Sequence, residues 1–378
     1  MGTLRALIVC ATVLSVAQAD ESGDRQSKGD FEIQLQTIHS GYDRKTCWVH
    51  PRAGMIPGNS QQGGDLFTAV LTMHELRISG SDVYYPIHDM RTDDGGNTWT
   101  APTSQAAAFG RRRMPGGVEE GICDFWPAWH AKTGTLLGTG HTVHYIDDNL
   151  EPLPHPRDTT YSVYDPRTRQ WSPYRKLETP DDDLFFMDGA GSTQRVDLEN
   201  GDILLPTYTG LRETAEGRFT FQGIAFVMRG SFDGKTLRYV EHGDTLTLST
   251  GRGFTEPSLV RLAAQYLMTL RNDEHNYVAR GKDGLHFEDV RRLTFDDGGE
   301  LGSYNTQTHW LTLGDRLYLV YTRRGANNDH IPRHRAPLFI ARFDPDRPCV
   351  IRDSERIAVI CEKYGSDNSI FVAKVRSR

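Results

Sequence analysis

The chain has 378 residues and carries 43 Lys and Arg against 50 Asp and Glu, which gives a formal net charge of −7 at pH 7. An acidic chain of this kind lacks the overall basic charge of nucleic-acid-binding proteins, so we expect no nucleic-acid partner. Glycine, proline and aromatic residues are frequent enough to suggest many strands joined by tight turns.

Residues 1–19 have the pattern of a secretory signal peptide. Arg5 supplies a positive charge, the apolar run at 6–16 is too short to span a bilayer, and the Ala-Gln-Ala at 17–19 offers a small-residue cleavage site. We therefore predict secretion, with residues 20–378 as the mature, single-domain chain. An uncleaved N-terminal anchor is the alternative. No later stretch has the roughly 18 consecutive apolar residues of a membrane helix, so no membrane span is expected in the mature chain.

Four cysteines would remain after loss of the signal peptide: Cys47, Cys123, Cys349 and Cys361. An oxidising destination permits disulfides, and four cysteines allow three pairings. The favoured pair is Cys349 with Cys361, because the segment between them, VIRDSERIAVI, is typical of two short strands and a turn. Four buried thiols are the alternative. The absence of a CxxC spacing argues against zinc, and we predict neither a metal nor a cofactor.

Short runs of alternating polarity fill the chain, and amphipathic helices are scarce, which predicts an all-β fold. A turn rich in Asp and Gly, most complete in TDDGGNTW at 92–99, recurs in weaker form at 164–171, 231–237, 281–287 and 343–349. In such a turn the Asp bonds backbone amides ahead of it and Gly takes the left-handed positions, so the turn closes a hairpin. The intervals of 72, 67, 50 and 62 residues suit a four-stranded unit with one variable loop. Five such units and a sixth completed by the N-terminal segment predict six blades around an axis, with seven blades or a β-sandwich pair as alternatives.

The TDDGGNTW stretch resembles the Asp box of sialidase-like β-propellers. The resemblance implies a six-bladed β-propeller. Asp boxes also occur in propellers that only bind ligands, so the box indicates architecture and not chemistry.

Three arginines stand in contexts similar to those of the same family: Arg52 in HPRAGMIP, Arg271 after the strand that holds Glu256, and Arg335 at the head of PLFIARFD. A propeller directs one strand of each blade toward its axis, so residues far apart in sequence can meet at one end. Three guanidinium groups there would hold a carboxylate, since an arginine can bind it bidentately without losing its own charge. The expected ligand is a carboxylated sugar in a glycan or glycoconjugate.

The family resemblance also implies catalytic residues for hydrolysis. Tyr364 in CEKYGSDNSIF would be the nucleophile and Glu256 the base that takes its proton, because a neutral phenol can approach an anomeric centre beside a carboxylate without repulsion. Asp82 would be the acid/base. The segment around Asp82 departs from the family pattern, so His74, Glu75 and Asp89 stay as reserve candidates.

Other readings of the sequence remain open. A non-catalytic propeller could bind acidic glycan through the same arginines. A propeller-type lyase acting on uronate glycans could use His130 or His144 with Tyr208 and Arg229. His141 and His144 have a zinc-like spacing, but in a strand they point to opposite faces, so joint ligation would need a bend. Asp181–Asp183 with Asp188 could bind calcium, although a solvated turn is the simpler interpretation.

Overall fold

The computed structural model describes residues 5–12, 31–41, 43–58, 67–79, 82–210, 221–359 and 368–377, with the backbone alone at 5–12, 332 and 377. Within these residues the chain forms six antiparallel sheets and very little helix. The helical segments are the α-helix Ala106–Phe109 and the 3-10 turns Pro115–Gly117, Pro332–His334 and Arg352–Ser354. The all-β prediction is confirmed.

The sheets are numbered here in chain order. The first comprises Thr46–Ile56, Thr68–Arg77, His88–Thr92 and Thr103–Ser104. The second comprises Arg112–Arg113, Glu119–His130, Thr135–Ile146, Asn149–Leu150, Thr159–Asp165, Gln170–Trp171 and Arg175–Lys176. The third comprises Val196–Asp197, Asp202–Gly210, Gly223–Phe232, Leu237–His242 and Leu246–Thr247.

The remaining three sheets follow the same antiparallel pattern. The fourth comprises Thr255–Leu262, Gln265–Arg271, Tyr277–Gly281 and Phe287–Arg292. The fifth comprises His309–Leu313, Arg316–Tyr321, Leu338–Asp344, Cys349–Val350 and Arg356–Val359. The sixth comprises Arg5–Thr12, Phe31–His39 and Ser369–Ser377.

The five recurring turns each join two neighbouring strands, one turn in each of the first five sheets. In every turn an Asp carboxylate accepts a hydrogen bond from a backbone amide two or three residues ahead: Asp94 from Asn97, Asp165 from Arg167, Asp233 from Lys235, Asp283 from Leu285 and Asp344 from Asp346. In the most complete copy Gly95 and Gly96 have φ of 72° and 79°. Glycine adopts this backbone conformation at little cost, so the turn sequence explains the hairpin.

Buried apolar clusters join each sheet to the next, and the sixth sheet packs back on the first. Each of six clusters contains residues of two neighbouring sheets, for example Val70 and Ile122, Leu137 and Phe226, Val227 and Met268, Leu267 and Leu319, Tyr318 and Val375, and Val372 and Leu71. A sheet whose two faces are both covered in this way has an apolar core on each side, as in a propeller. The arrangement is propeller-like, and the number of six blades stays a prediction.

The strand Arg5–Thr12 lies within the predicted signal peptide. It pairs with Ser369–Ser377, which pairs on its other side with Phe31–His39. Cleavage after Ala19 would therefore leave Ser369–Ser377 with one of these two partners, and the cleavage itself stays a prediction. Among the residues with described placement, no helix has the length and apolarity to cross a membrane.

Three of the four cysteines of the predicted mature chain lie in the described residues. Cys47, Cys123 and Cys349 are buried and form no disulfide with one another. Cys361 lies outside the described residues, so the pairing of Cys349 with Cys361 stays a prediction.

Candidate active site

A cavity of about 850 Å³ lies among the first five sheets and the loops between them. Five residues to which the sequence assigns a catalytic or binding role line it: Arg52, Asp82, Glu256, Arg271 and Arg335. They come from distant parts of the chain and meet because their sheets converge around one space. The predicted nucleophile, Tyr364, lies outside the described residues.

Local breaks in three strands turn polar side chains toward this cavity. The pairing register shifts at residues 49–52, 123–126 and 255–258. Each shift contains one polar residue with left-handed backbone, namely His50 at φ 51°, Asp124 at φ 53° and Glu256 at φ 43°. A β-bulge of this kind leaves a residue unpaired and re-aims its side chain. All three side chains line the cavity.

Glu256 and Arg271 form a buried ion pair at the wall of the cavity. Arg271 Nη1 donates a hydrogen bond to Glu256 Oε2, and each side chain is 10 % exposed. Arg271 Nη2 donates to Asn305 Oδ1 at 2.7 Å. Burial alone would lower the pKa of Arg271, but the negative charge of Glu256 outweighs it and raises that pKa. The guanidinium group is therefore held charged and in one orientation.

Arg52 and Arg335 bring two further guanidinium groups to the cavity. Arg52 Cζ lies 4.9 Å from the centre of the Trp126 ring. Arg335 is solvent-accessible and flanked by other cations. Its pKa is lowered, first by partial desolvation and then by the positive charges of Arg271 and Arg333. This mutual repulsion indicates a positive potential that favours an anionic ligand.

Asp82 is exposed at the cavity and has a left-handed backbone, with φ of 56°. The Tyr84 hydroxyl donates to Asp82 Oδ1 at 2.9 Å, and the Tyr145 hydroxyl donates to the Asp82 carbonyl at 3.1 Å. These two tyrosines hold both the backbone and the carboxylate, while the carboxylate stays accessible to a ligand.

The reserve acid/base candidates do not line the cavity. His74 is buried, and burial lowers its pKa to about 4. Asp89 accepts hydrogen bonds from Gln105 and from the indole of Trp171, at 2.9 and 3.0 Å. Glu75 lies on the strand Thr68–Arg77. Asp82 is therefore the member of this group that could reach a ligand in the cavity.

A buried network around Asp124 was not anticipated from the sequence. His50 Nδ1 lies 3.0 Å from Asp124 Oδ1, and the Ser192 hydroxyl donates to the same oxygen at 2.6 Å. His141 Nε2 lies 3.8 Å from Asp124 Oδ2. Burial would raise the pKa of Asp124, but His50, His141 and the Ser192 hydrogen bond together lower it below its usual value.

Two of the three bulges have a signal in the sequence that strand periodicity does not contain. Pro51 follows His50, and Pro257 follows Glu256. Proline cannot donate to a strand ladder, so within sheets it is confined to edges, strand starts and bulges. A polar residue followed by proline inside an apolar strand therefore predicts a bulge that presents the polar side chain.

His141 occupies a recess formed by glycines. A Cβ atom at Gly191 would lie 2.1 Å from His141 Nδ1, and one at Gly189 would lie 2.6 Å from the His141 Cβ. The imidazole is 6.0 Å from the Tyr208 ring, and Arg157 Cζ is 4.5 Å from that ring. Burial, and then the charge of Arg157, lowers the pKa of His141 to about 3.

The set of residues considered for a lyase is not brought together. Tyr208 lines the cavity, whereas the other three members do not. His130 is fully buried, with Nε2 3.0 Å from the Gly201 carbonyl. His144 Nδ1 lies 3.0 Å from Glu151, and Arg229 is paired with a glutamate at 2.8 Å. The four aspartates considered as calcium ligands are also not brought together, because Asp181–Asp183 are exposed and Asp188 is buried.

No family model and no curated protein matches the sequence. The Trypanosoma rangeli sialidase matches the fold with a TM-score of 0.58 at 11 % identity, over 91 % of this chain and 59 % of that one. The complex of that enzyme with sialic acid gives 0.57 at 11 % identity, over 91 % and 58 %. The NanB sialidase of Streptococcus pneumoniae gives 0.55 at 10 % identity, over 86 % and 64 %. The chain thus spans less than two thirds of these proteins, and at such identity the likeness shows the fold alone.

Proposed function

We propose that this chain, which has the fold of the sialidase-like β-propellers, is a secreted exo-acting glycoside hydrolase that releases a terminal carboxylated sugar. The observation that carries the proposal is the cavity shared by Arg52, Arg271 and Arg335 with Glu256 and Asp82. Desolvation lowers the pKa of Arg335, and the positive charges of Arg271 and Arg333 lower it further; these charges support an anionic ligand, because a carboxylate would offset their repulsion. Sialic acid is the first sugar to test, since a structural neighbour is a sialidase in complex with it.

In the proposed mechanism the three arginines hold the carboxylate of the sugar. The phenolic oxygen of Tyr364 attacks the anomeric carbon while its proton passes to Glu256. Asp82 donates a proton to the departing glycosidic oxygen, and then takes a proton from the water that displaces the tyrosine. Glu256 returns its proton to the tyrosine, so that both the tyrosine and the acid/base end in their starting states.

The fold and location are part of the same proposal. The six sheets would be six blades, with the last blade completed by the N-terminal segment, as the five recurring turns suggest. Residues 1–19 would be removed on export, and the mature chain would begin at Asp20. Mass measurement of the exported protein tests the cleavage directly, because the cleaved and uncleaved chains differ by the mass of residues 1–19.

One observation favours a second candidate, a lyase acting on a uronate-containing glycan. His141, Tyr208 and Arg157 line the same cavity, with the two rings 6.0 Å apart and the guanidinium over the phenol. A His and Tyr pair could remove the proton α to a uronate carboxylate, while an arginine stabilises the resulting charge. These are different residues from the lyase set that the sequence indicated, apart from Tyr208.

The deciding experiment compares two tyrosine variants, Tyr364→Phe and Tyr208→Phe, on sialyl and uronate glycosides. We expect Tyr364→Phe to abolish sugar release and to retain binding of the free sugar acid, because only a bond to the phenolic oxygen is lost. Release that persists in Tyr364→Phe and disappears in Tyr208→Phe, with an unsaturated product absorbing in the ultraviolet, would favour the lyase. Saturable binding without turnover in the wild-type chain would indicate a glycan-binding propeller.

A further inference from the structure

Cys123 and His141 are directly opposite one another on neighbouring antiparallel strands of the second sheet. Residues paired in this way place their side chains on the same face. Asp124 follows Cys123 and would normally point to the other face, since side chains alternate along a strand. The bulge at 123–126 interrupts that alternation and brings the Asp124 carboxylate to the side of Cys123 and His141. The bulge therefore allows Cys123, Asp124 and His141 to contribute to one ligand site, which a regular strand would not.

The three side chains form a compact group. One ligand atom from each of Cys123, Asp124 and His141 lies within 4.8 Å of the others. Cys123 and His141 are 3 % and 6 % exposed, and Asp124 is 9 % exposed. All three also line the cavity, so the group is buried in protein on one side and accessible from the cavity on the other.

Neighbouring contacts orient the group and leave ligand atoms available. Asp124 Oδ1 is occupied by the Ser192 hydroxyl and by His50, which leaves Oδ2 turned toward His141 Nε2 at 3.8 Å. The imidazole of His141 is held against Gly191, and its buried Nδ1 has no hydrogen-bond partner among the described residues. Nε2, on the other side of the ring, is too far from Asp124 Oδ2 at 3.8 Å for a hydrogen bond, which leaves room for an ion between these two atoms.

We propose that Cys123, Asp124 and His141 bind one divalent transition-metal ion of the zinc type in the wall of the cavity. Sulfur, imidazole nitrogen and carboxylate oxygen are the donors that zinc takes, and three protein ligands leave a fourth position open toward the cavity. A dication with one thiolate and one carboxylate has no net charge. Such a site is compatible with the cations of Arg52 and Arg157 on the same cavity wall.

The metal site does not depend on the proposed hydrolase, and it bears on the choice between the two enzyme candidates. Coordination through Nε2 would prevent His141 from transferring protons in a lyase. The roles of Arg52, Arg271, Arg335 and Glu256 would be unaffected. The open metal position would accept a water molecule or a sugar oxygen beside the arginines.

The test uses the full chain stripped of metal with a chelator and titrated with Co²⁺, which replaces zinc and absorbs visibly in tetrahedral sites. We expect saturation at about one ion per chain, with a thiolate-to-cobalt band in the near ultraviolet. The band should disappear in Cys123→Ser and persist in Cys47→Ser, a matched control because Cys47 is also buried and lines the same cavity. Saturating Zn²⁺ should raise the melting temperature of the wild type and of Cys47→Ser, and leave that of Cys123→Ser unchanged.

Three results would overturn the inference. The first is wild-type protein without a thiolate-to-cobalt band, which decides the matter even if the Cys123→Ser chain fails to fold. The second is a band that survives in folded Cys123→Ser. The third is a disulfide between Cys123 and Cys47 in the native protein, found by intact mass before and after reduction, since it would remove the thiolate.

Discussion

The carboxylate of Glu256 and the guanidinium of Arg271 are paired inside the protein, and each side chain is 10 % exposed. Two roles that the sequence assigns separately, the base and one member of the carboxylate clamp, therefore belong to one electrostatic unit. A ligand carboxylate that approaches Arg271 also approaches the negative charge of Glu256. Arg52 and Arg335 must then supply much of the attraction.

The variant Glu256→Gln should lose both activity and stability. It leaves the Arg271 charge buried without its partner, and breaking one side of a buried pair costs roughly 3 to 5 kcal/mol of unfolding free energy. Urea unfolding measures this loss, and release of sugar measures the catalytic effect. Glu288→Gln is the matched control, because Glu288 is exposed on the same sheet and its change should stay within about 0.5 kcal/mol. Equal stability of both variants would mean that the ion pair is not maintained in solution.

The variant Arg335→Ala should weaken binding of a sugar acid and leave folding intact. A charge-assisted hydrogen bond contributes roughly 1.5 to 3 kcal/mol, so the dissociation constant should rise about tenfold to a hundredfold. Calorimetry with sialic acid provides the measurement. Arg352→Ala is the control, since Arg352 pairs with Asp297 and does not line the cavity. A dissociation constant unchanged by Arg335→Ala would exclude Arg335 from the clamp.

Stability should fall as pH rises between about 4 and 7, in part because of Asp188. Burial raises its pKa from 3.8 to about 7, although a hydrogen bond from Thr159 opposes the shift. Below the pKa of the unfolded state, this carboxyl group is protonated in both the native and the unfolded protein and does not affect stability. Between the unfolded-state pKa and the higher native pKa, the unfolded protein loses the proton more readily, so rising pH lowers the free energy of unfolding until the native pKa is passed. The shift corresponds to a cost on the order of 4 kcal/mol above pH 7.

The variant Asp188→Asn removes this titration and keeps an oxygen that can accept the Thr159 hydrogen bond. We expect it to be more stable than the wild type above pH 7 and similar to it at pH 4. Chemical unfolding at a series of pH values gives both curves. If the free energies of unfolding of the wild type and Asp188→Asn changed with pH in parallel, the pKa of Asp188 would not be raised by burial.

The variant Gly191→Ala should displace His141. The added Cβ would lie 2.1 Å from Nδ1, far inside contact distance, and overpacking of this kind usually costs about 1 to 3 kcal/mol. Gly121→Ala is the control, because Gly121 lies on the sheet that holds His141 and the nearest atom to its added Cβ would be 3.5 Å away. Thermal unfolding compares the two. If the Gly191→Ala and Gly121→Ala chains had equal melting temperatures, the His141 ring would not lie against Gly191 in solution.

Much of the fold could be predicted from the sequence, because short alternating runs and Asp-Gly turns are local signals. The turn at 92–99 and its four weaker copies close hairpins in five successive sheets, and the resemblance to sialidase-like propellers is confirmed at the level of the fold.

The site could be predicted less completely. Strand alternation assigns His141 and Asp124 to faces only while the register is regular, and a bulge cancels that assignment locally. His50 and Asp124 were missed for this reason. The pairing of Glu256 with Arg271 depends on which atoms face each other across the strands, which spacing along the chain does not specify.

The structure of the chain with a small carboxylated sugar such as sialic acid bound would show directly whether the three arginines form a carboxylate clamp. We expect the carboxylate to lie in the cavity of about 850 Å³, within hydrogen-bond distance of Arg52, Arg271 and Arg335, with the anomeric carbon facing Glu256 and Asp82. A carboxylate that binds outside this cavity, or inside it without contacting these guanidinium groups, would show that the three arginines are not the clamp.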